Sequence, residues 1–454
     1  MTPDDVAGAN NGTPSAAGTP KPSLRAEGEA IQGPPATPGL LRHHSPSIGR
    51  ASFRRPTAPR SDGDIASSHA FLAELRGFNA FGAKTIQFEQ DGIPYFVNEF
   101  WTSGQRQAHS LHEISYRACF KPQLPEFFIS RLTAHGEGVY DPFMGRGTTP
   151  LQAALMGRRP IGNDMNPLSA LLTRPRLAPP SLNAIEARLS EIDWRVGELE
   201  RRDLLAFYHE DTLRQICALR RFLLTHSEPV DDWIKMVAIN RLTGHSPGFF
   251  SVYTLPPNQA VSVESQVKIN AKRSQTPPPR NVARLILKKS RALLADGPPP
   301  PHPPATFGDG DAAHTPFVAG ASARLIVTSP PFLDIVQYAA DNWLRNWFAG
   351  IDTDAVKISV HRGEVAWSRM VRECFVEFAR VVAPGGHVAF EVGEVRGGSV
   401  LLERLVWRAV EGLPFARLFV LVNAQEFTKT SHCWGVRNNA KGVNSNRIVV
   451  LRRA

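Results

Sequence analysis

Two short stretches of this chain carry residue types at spacings that could do chemistry, DPFMGRGTT at 141–149 and TSPPF at 328–332. The first follows a strand-like run, GVYDPF, and opens a helix-like one, TTPLQAALMG, so Gly145 and Gly147 stand where backbone must turn tightly and approach a ligand closely. A G-x-G pattern alone is also what an ordinary strand-to-helix turn shows. The next strand-like run, RRPIGND, ends in Asp164, 17 residues after Gly147, and a carboxylate there can accept both hydroxyls of a ribose. With Asp141, Pro142, Phe143 and Thr148, these residues describe a nucleoside pocket. The second stretch begins as a buried strand, RLIVT, and stops at Ser329, Pro330, Pro331 and Phe332, a rigid turn bearing a hydroxyl and an aromatic ring.

The elements around these stretches must hold them together. GEGVYDPF, TTPLQAALMG, RRPIGND, ARLIVTSPPF, WSRMVRECFVEFARVV and GGHVAFEVG alternate strand and helix patterns, which predicts an α/β domain with a mostly parallel sheet. FARLFVLVNAQEF and SNRIVVLRR read as a closing antiparallel pair. Ligands in such sheets gather at the carboxyl ends of the strands, where both stretches fall. Residues 1–65, rich in Pro, Ala, Ser and Gly without apolar periodicity, read as a disordered tail. Residues 66–181 hold the first motif, 182–304 an insertion closed by the Pro-rich linker GPPPPHPP, and 305–454 the second motif. Within the insertion, NAIEARLSEIDWRVGELE and DTLRQICALRRFLL have helical amphipathicity, and GHSPGFFSVYTLPPNQAVSVESQVKINAKRSQTPPPR reads as a polar, loop-rich stretch.

DPFMGRGTT and TSPPF resemble motifs I and IV of the S-adenosylmethionine-dependent DNA amino-methyltransferases, which methylate N4 of cytosine or N6 of adenine. KPQLPEFFISRL is similar to the family's motif X helix, and VVAPGGHVAFEVGE to its helix, PGG turn and strand. The resemblance implies a class I, Rossmann-like methyltransferase sheet and S-adenosylmethionine as cofactor. It implies that Asp141, Pro142, Phe143, Gly145, Gly147, Thr148 and Asp164 hold that cofactor, with Asn166 shaping its adenine pocket and Asp309 (Asp311 as rival) meeting its adenine amine. It further implies that Ser329, Pro330, Pro331 and Phe332 hold a flipped base. The Ser329 hydroxyl and Pro330 carbonyl would accept hydrogen bonds from the amine, Pro331 brings no amide hydrogen, and Phe332 would stack on the base. Asp341, Asn342 and Trp343 follow where the family continues to line the pocket, although Trp343 and Trp347 are also spaced as core residues of one helix. The motif order X, I, insertion, IV departs from the commonest arrangement of serine-type cytosine enzymes, in which motif IV precedes motif I. Ser-Pro-Pro-Phe points to N4 of cytosine, with N6 of adenine, an RNA amine, or a non-catalytic nucleic-acid binder as the alternatives.

Carbon-5 chemistry on cytosine needs a nucleophilic thiolate, in that family within a Pro-Cys pair. None of the four cysteines, Cys119, Cys217, Cys374 and Cys433, follows a proline. They form no CxxC, so neither a disulfide framework nor a metal site is expected. The net charge of +10 over 454 residues suits a polyanion such as double-stranded DNA. Lys268, Lys272, Arg273 and Arg280 lie in the basic part of the insertion, the candidate target-recognition region; a basic run is also what a solvated face shows. No apolar run has membrane-spanning length and the start lacks a secretory pattern, so a cytoplasmic, DNA-associated protein is expected. A companion restriction endonuclease is not legible in the chain.

Overall fold

The computed structural model describes residues 68–454 except 102–107, 117–118, 196–197, 255–259, 332, 334–337, 354–355, 357–362, 396–399 and 425–444. The expected tail at 1–65, Phe332 and Cys433 lie outside the described residues.

Helix α1 (Ser68–Gly77) precedes a hairpin of β1 (Ile86–Gln90) and β2 (Ile93–Asn98). Then come α2 (Gln123–Leu132), β3 (Gly138–Asp141), α3 (Thr148–Leu155), β4 (Arg159–Asp164) and α4 (Leu168–Thr173). The insertion contributes α5 (Leu182–Ser190), α6 (Glu210–Thr225), α7 (Pro229–Ile239), α8 (Val263–Arg273) and α9 (Val282–Leu293). After it run β5 (Thr306–Asp309), β6 (Ala323–Thr328), α10 (Tyr338–Ala349), α11 (Glu364–Val381) and β7 (Val382–Val392). The short β8 (Glu394–Val395) and β9 (Val400–Leu401), α12 (Leu402–Ala409), β10 (Phe415–Ala424) and β11 (Ser445–Arg453) complete the order.

The main sheet has the order β1-β2-β10-β11-β7-β6-β3-β4-β5. Strands β5, β4, β3, β6 and β7 are mutually parallel, and β11 runs antiparallel to both β7 and β10. This is the mostly parallel, Rossmann-like sheet that was expected. The antiparallel strand sits inside the sheet, not at its edge, and the unexpected β1–β2 hairpin extends the sheet beyond β10 through a parallel pairing with β2. The chain builds outward from β3 to β4 and β5, then returns to lay β6 on the other side of β3. That reversal is the switch point at which ligands bind in doubly wound sheets.

Both faces of the sheet are covered, which is why its central strands read as nearly continuous apolar runs. Along β6 the two-residue period sends Leu325 and Val327 into a core with Phe71, Phe127, Phe128 and Phe419, and Ile326 into a core with Phe375, Phe378 and Phe390 of the opposite face. The insertion helices share a third core with α3, α4 and α10: Trp233, Ile216, Val237 and Ile286 pack with Leu151, Leu168, Leu172, Leu344 and Phe348.

Two expectations within the insertion differ from the structure. The amphipathic pattern from 183 to 200 supports a helix only to Ser190, where the Trp194 indole donates to the Leu189 carbonyl and turns the chain away. The stretch read as loop contains α8, whose Ser262 cap accepts the Ser265 amide and whose Gln266 side chain donates to the Tyr253 carbonyl.

Gly138 opens β3 against the neighbouring chain: a Cβ there would stand 2.3 Å from the Ser322 carbonyl oxygen, a backbone atom that cannot step aside alone. Gly138→Ala is expected to destabilise the protein by about 2 kcal/mol or more. Urea unfolding checks this, and an unchanged midpoint would contradict the placement of β3.

Candidate active site

Asp141 ends β3 in the interior, where burial pushes its carboxyl up to about 7 against the opposing pull of its hydrogen bonds. Its Oδ1 accepts the Thr328 hydroxyl at 2.6 Å and the Phe143 amide at 3.1 Å. Its Oδ2 is buried without a hydrogen-bond partner, for the nearby Thr149 hydroxyl donates to the Val327 carbonyl instead. Thr328 ends β6, so this bond joins the carboxyl ends of the two central strands.

The loop after Asp141 is set by glycine. Gly145 (φ +50°) donates its amide to Asp164 Oδ2 at 2.8 Å, and the other oxygen of Asp164 accepts the Asn166 amide at 2.9 Å. Gly147 (φ +75°) caps α3, and a Cβ there would fall 2.1 Å from the Thr173 hydroxyl oxygen. Thr148 begins α3 and its hydroxyl accepts from Arg146 Nε at 3.1 Å, while the Pro142 carbonyl accepts from Asn163 at 3.3 Å. Asp164 is half-buried and burial raises its pKa, with the two amides opposing. Asn166 accepts the Leu168 amide at 3.1 Å and donates to the Tyr116 hydroxyl at 3.3 Å. Asp309 stands beside Asp164 in register at the end of β5 with an exposed side chain, whereas Asp311 accepts the Ala313 amide.

Sequence reasoning missed the segment that lies over this loop. Tyr116 and Cys119 come within 3.5 and 3.8 Å of where a Cβ on Gly145 would be, and Arg146 reaches back to the Ile114 carbonyl at 3.0 Å. Nothing in their spacing marks them, because they reach the loop only through tertiary packing.

On the other strand, Ser329 lies beside Glu391 of β7, close enough for its hydroxyl to oppose the rise of the Glu391 pKa. Glu391 is 7% exposed, accepts from Asn446 Nδ2 at 2.7 Å, and is raised above the usual carboxylate range by burial. Pro330 is buried, and the Pro331 carbonyl accepts the indole N–H of buried Trp367 at 2.9 Å. The serine-proline turn is therefore pinned at Thr328 and Pro331. Glu391 was absent from the expected site, although one acid inside the apolar run HVAFEV is the signal that could have found it. Asp341 and Asn342 are buried on α10, and Asn342 accepts from Arg345 at 3.1 Å. Trp343 donates to the Ala260 carbonyl at 3.3 Å and packs with Trp347 against the insertion core. Lys268, Lys272 and Arg273 are exposed on α8, Arg273 stacks 3.8 Å over Tyr253, and the Arg280 amide donates to Thr212.

Residues 84–170 match the family described as DNA methylase. Over 72 residues the chain is 39% identical to the type II methyltransferase M.MjaII of Methanocaldococcus jannaschii, covering 16% of this chain and 13% of that protein. Over 137 residues it is 27% identical to the type II methyltransferase M.MvaI of Kocuria varians, covering 30% of this chain and 27% of that one. The matched segment is thus similar to DNA methylases and to these two type II methyltransferases. The chain thus spans about an eighth and about a quarter of the curated relatives it matches, and TSPPF lies outside the family match. Among solved structures, a putative DNA modification methylase of Thermus thermophilus complexed with S-adenosyl-L-methionine is 20% identical (TM-score 0.19, 32% of this chain and 53% of that chain). TrmN, also of Thermus thermophilus, is 14% identical (TM-score 0.30, 74% of this chain and 50% of that chain).

S-adenosylmethionine is the cofactor that the resemblance implies, and the residues present fit it. Buried Asp141 Oδ2 lacks a partner, and Asp164, whose oxygens have each accepted only one amide, keeps lone pairs for ribose hydroxyls. No helix among the described residues is long and apolar enough to cross a membrane.

A buried acid whose native pKa lies above its unfolded value holds its proton more tightly when folded. Its contribution to stability is present at acid pH and is lost as pH rises through about 7. In the ligand-free protein, Asp141→Asn is therefore expected to gain about 1–3 kcal/mol relative to the wild type between pH 5 and pH 8. Urea unfolding of both proteins at the two pH values reads this, and a constant difference would show that Asp141 is not held in its protonated form.

Proposed function

We propose that the protein transfers a methyl group from S-adenosylmethionine to an exocyclic amine of double-stranded DNA, N4 of cytosine in preference to N6 of adenine. The observation that carries this is the serine-proline turn pinned at Thr328 and Pro331, which sets Ser329 beside buried Glu391, one strand away from the glycine loop and two from Asp164. Asp141, Gly145, Gly147 and Asp164 would hold the cofactor, which supplies an electrophilic methyl group when bound.

An amine nitrogen needs orientation more than covalent activation. With Glu391 beside it to take its hydrogen, the Ser329 oxygen keeps lone pairs to accept an amine N–H. The Pro330 carbonyl accepts the second amine N–H, as the Pro331 carbonyl is occupied by Trp367. Both N–H bonds then point at protein acceptors and the nitrogen lone pair is left for the methyl group. The surplus proton of the methylated nitrogen passes to the Ser329 oxygen as the Ser329 proton passes to Glu391, which leaves a neutral amine and a protonated carboxyl. A binder that keeps the fold only as scaffold would have no use for a buried acid beside that hydroxyl.

With duplex DNA and labelled cofactor, Ser329→Ala is expected to lower kcat about 100-fold while the cofactor Kd stays within about twofold. Asp164→Ala weakens cofactor binding instead. Glu391 must be ionised to take the proton, so activity rises with pH through its raised pKa, and Glu391→Gln removes that acid limb. Loss of cofactor binding in Ser329→Ala, or an acid limb retained in Glu391→Gln, would overturn these roles.

A further inference from the structure

Two cations of the insertion are poorly compensated by the protein itself. Arg241, at the end of α7, lies 4.0 Å over the Phe249 ring and spends Nε on the Asn240 carbonyl at 2.8 Å. Its two terminal nitrogens have no acceptor among the described residues. Lys289, on α9, retains 13% side-chain exposure, and its partner Glu113 stands 3.7 Å away and is itself 64% exposed. Both cations are brought to the same short segment, Lys289 by Glu113 and Arg241 by its neighbour Asn240, which accepts the Ser115 amide; burial, and then the Arg241 charge, push Lys289 down to about 8, and burial brings Arg241 down to about 10. Two desolvated like charges cost stability unless an anion joins them, and one solvent-exposed carboxylate beyond hydrogen-bond distance is a weak substitute.

The pair also borders the candidate active site. Asn240, next to Arg241, accepts the Ser115 amide at 2.7 Å, and Arg345 of α10 donates to the Ser115 carbonyl at 3.3 Å. The following residue, Tyr116, lies over Gly145. One side of the 113–116 segment thus meets the cation pair, and Tyr116 meets the glycine loop.

We infer that Arg241 and Lys289 form a clamp for one phosphodiester of the DNA strand that carries the target base, with Glu113 occupying the clamp when no strand is bound. A phosphodiester supplies two anionic oxygens, which suit the free fork of Arg241 and the point charge of Lys289. This rests on the methyltransferase reading. The loop beside the cations strengthens it: Gly244 is packed so closely on Phe249 that a Cβ would stand 2.4 Å from the ring, which holds Phe249 under Arg241.

The test is duplex DNA binding by the full-length protein across a salt series, with S-adenosylmethionine Kd and methyl transfer measured in parallel. Each of Arg241→Gln and Lys289→Gln is expected to reduce the slope of log K against log salt by about one and to weaken low-salt binding several-fold. Arg241→Lys restores the slope, Glu113→Gln tightens binding, and cofactor Kd is unchanged throughout. If the wild type binds duplex DNA and the neutral variants keep its slope, or if they lose only thermal stability, the clamp is wrong and the methyltransferase reading stands. If inorganic phosphate raises the thermal midpoint of the wild type through these two residues and duplex DNA does not, the site serves free phosphate and the strand assignment is overturned. A wild type that shows no salt-dependent duplex binding or methyl transfer overturns both readings together.

Discussion

The hydrogen bond from Thr328 to Asp141, 2.6 Å long and wholly buried, fixes the relation between the two halves of the candidate site. β3 and β6 are adjacent and parallel in the sheet but 187 residues apart in sequence, so nothing local sets their ends level. Their ladder pairs only Val139 with Leu325 and Tyr140 with Ile326, and the Thr328 hydroxyl continues the contact past the ladder to the last residue of β3. A buried donor and acceptor at this point must find each other or remain unsatisfied at a cost of about 1–3 kcal/mol each. Slippage of one strand against the other is thereby penalised, and the glycine loop and the serine-proline turn are held at the same edge of the sheet.

Each half is then stiffened from a different direction. The glycine loop is closed by Asp164, which draws in the amides of Gly145 and Asn166, and covered by Tyr116 and Cys119. The serine-proline turn is held by Trp367 from α11 and bordered by Glu391 from β7. The antiparallel β11 supplies Asn446 to Glu391, so its insertion between β7 and β10 reaches the chemistry directly. The insertion helices meanwhile bury Leu151 of α3 and Leu344 of α10 in a shared core, which ties the Arg241–Lys289 region to helices that follow motif I and motif IV.

The parts of this arrangement legible in the sequence are those whose residue type is dictated by backbone geometry. Gly145 and Gly147 adopt positive φ and Asp164 ends a strand, so glycines followed by an acid at the next strand end carried the information. The alternation of periods two and 3.6 pointed to the parallel sheet for the same reason. Glu391 was marked as a lone acid in the apolar run HVAFEV, whereas Tyr116 and Cys119 were not legible, because their roles arise from contacts across long sequence separations. The interior position of β11 and the β1–β2 hairpin were hidden likewise: strand order is a tertiary property, and Ile86 and Phe88 on the exposed β1 carry no mark of their neighbours. Helix α8 was lost to its polar composition, which outweighed the Ser262 cap.

The destination of the methyl group is the most direct test of these roles. Purified protein is incubated with isotopically labelled S-adenosylmethionine and mixed-sequence duplex DNA, the DNA is digested to nucleosides, and the labelled species is identified by mass spectrometry. Labelled N4-methylcytosine is the predicted result. N6-methyladenine would keep the mechanism and overturn the target base, and label on carbon 5 of cytosine, or on no DNA nucleoside, would contradict the proposed function.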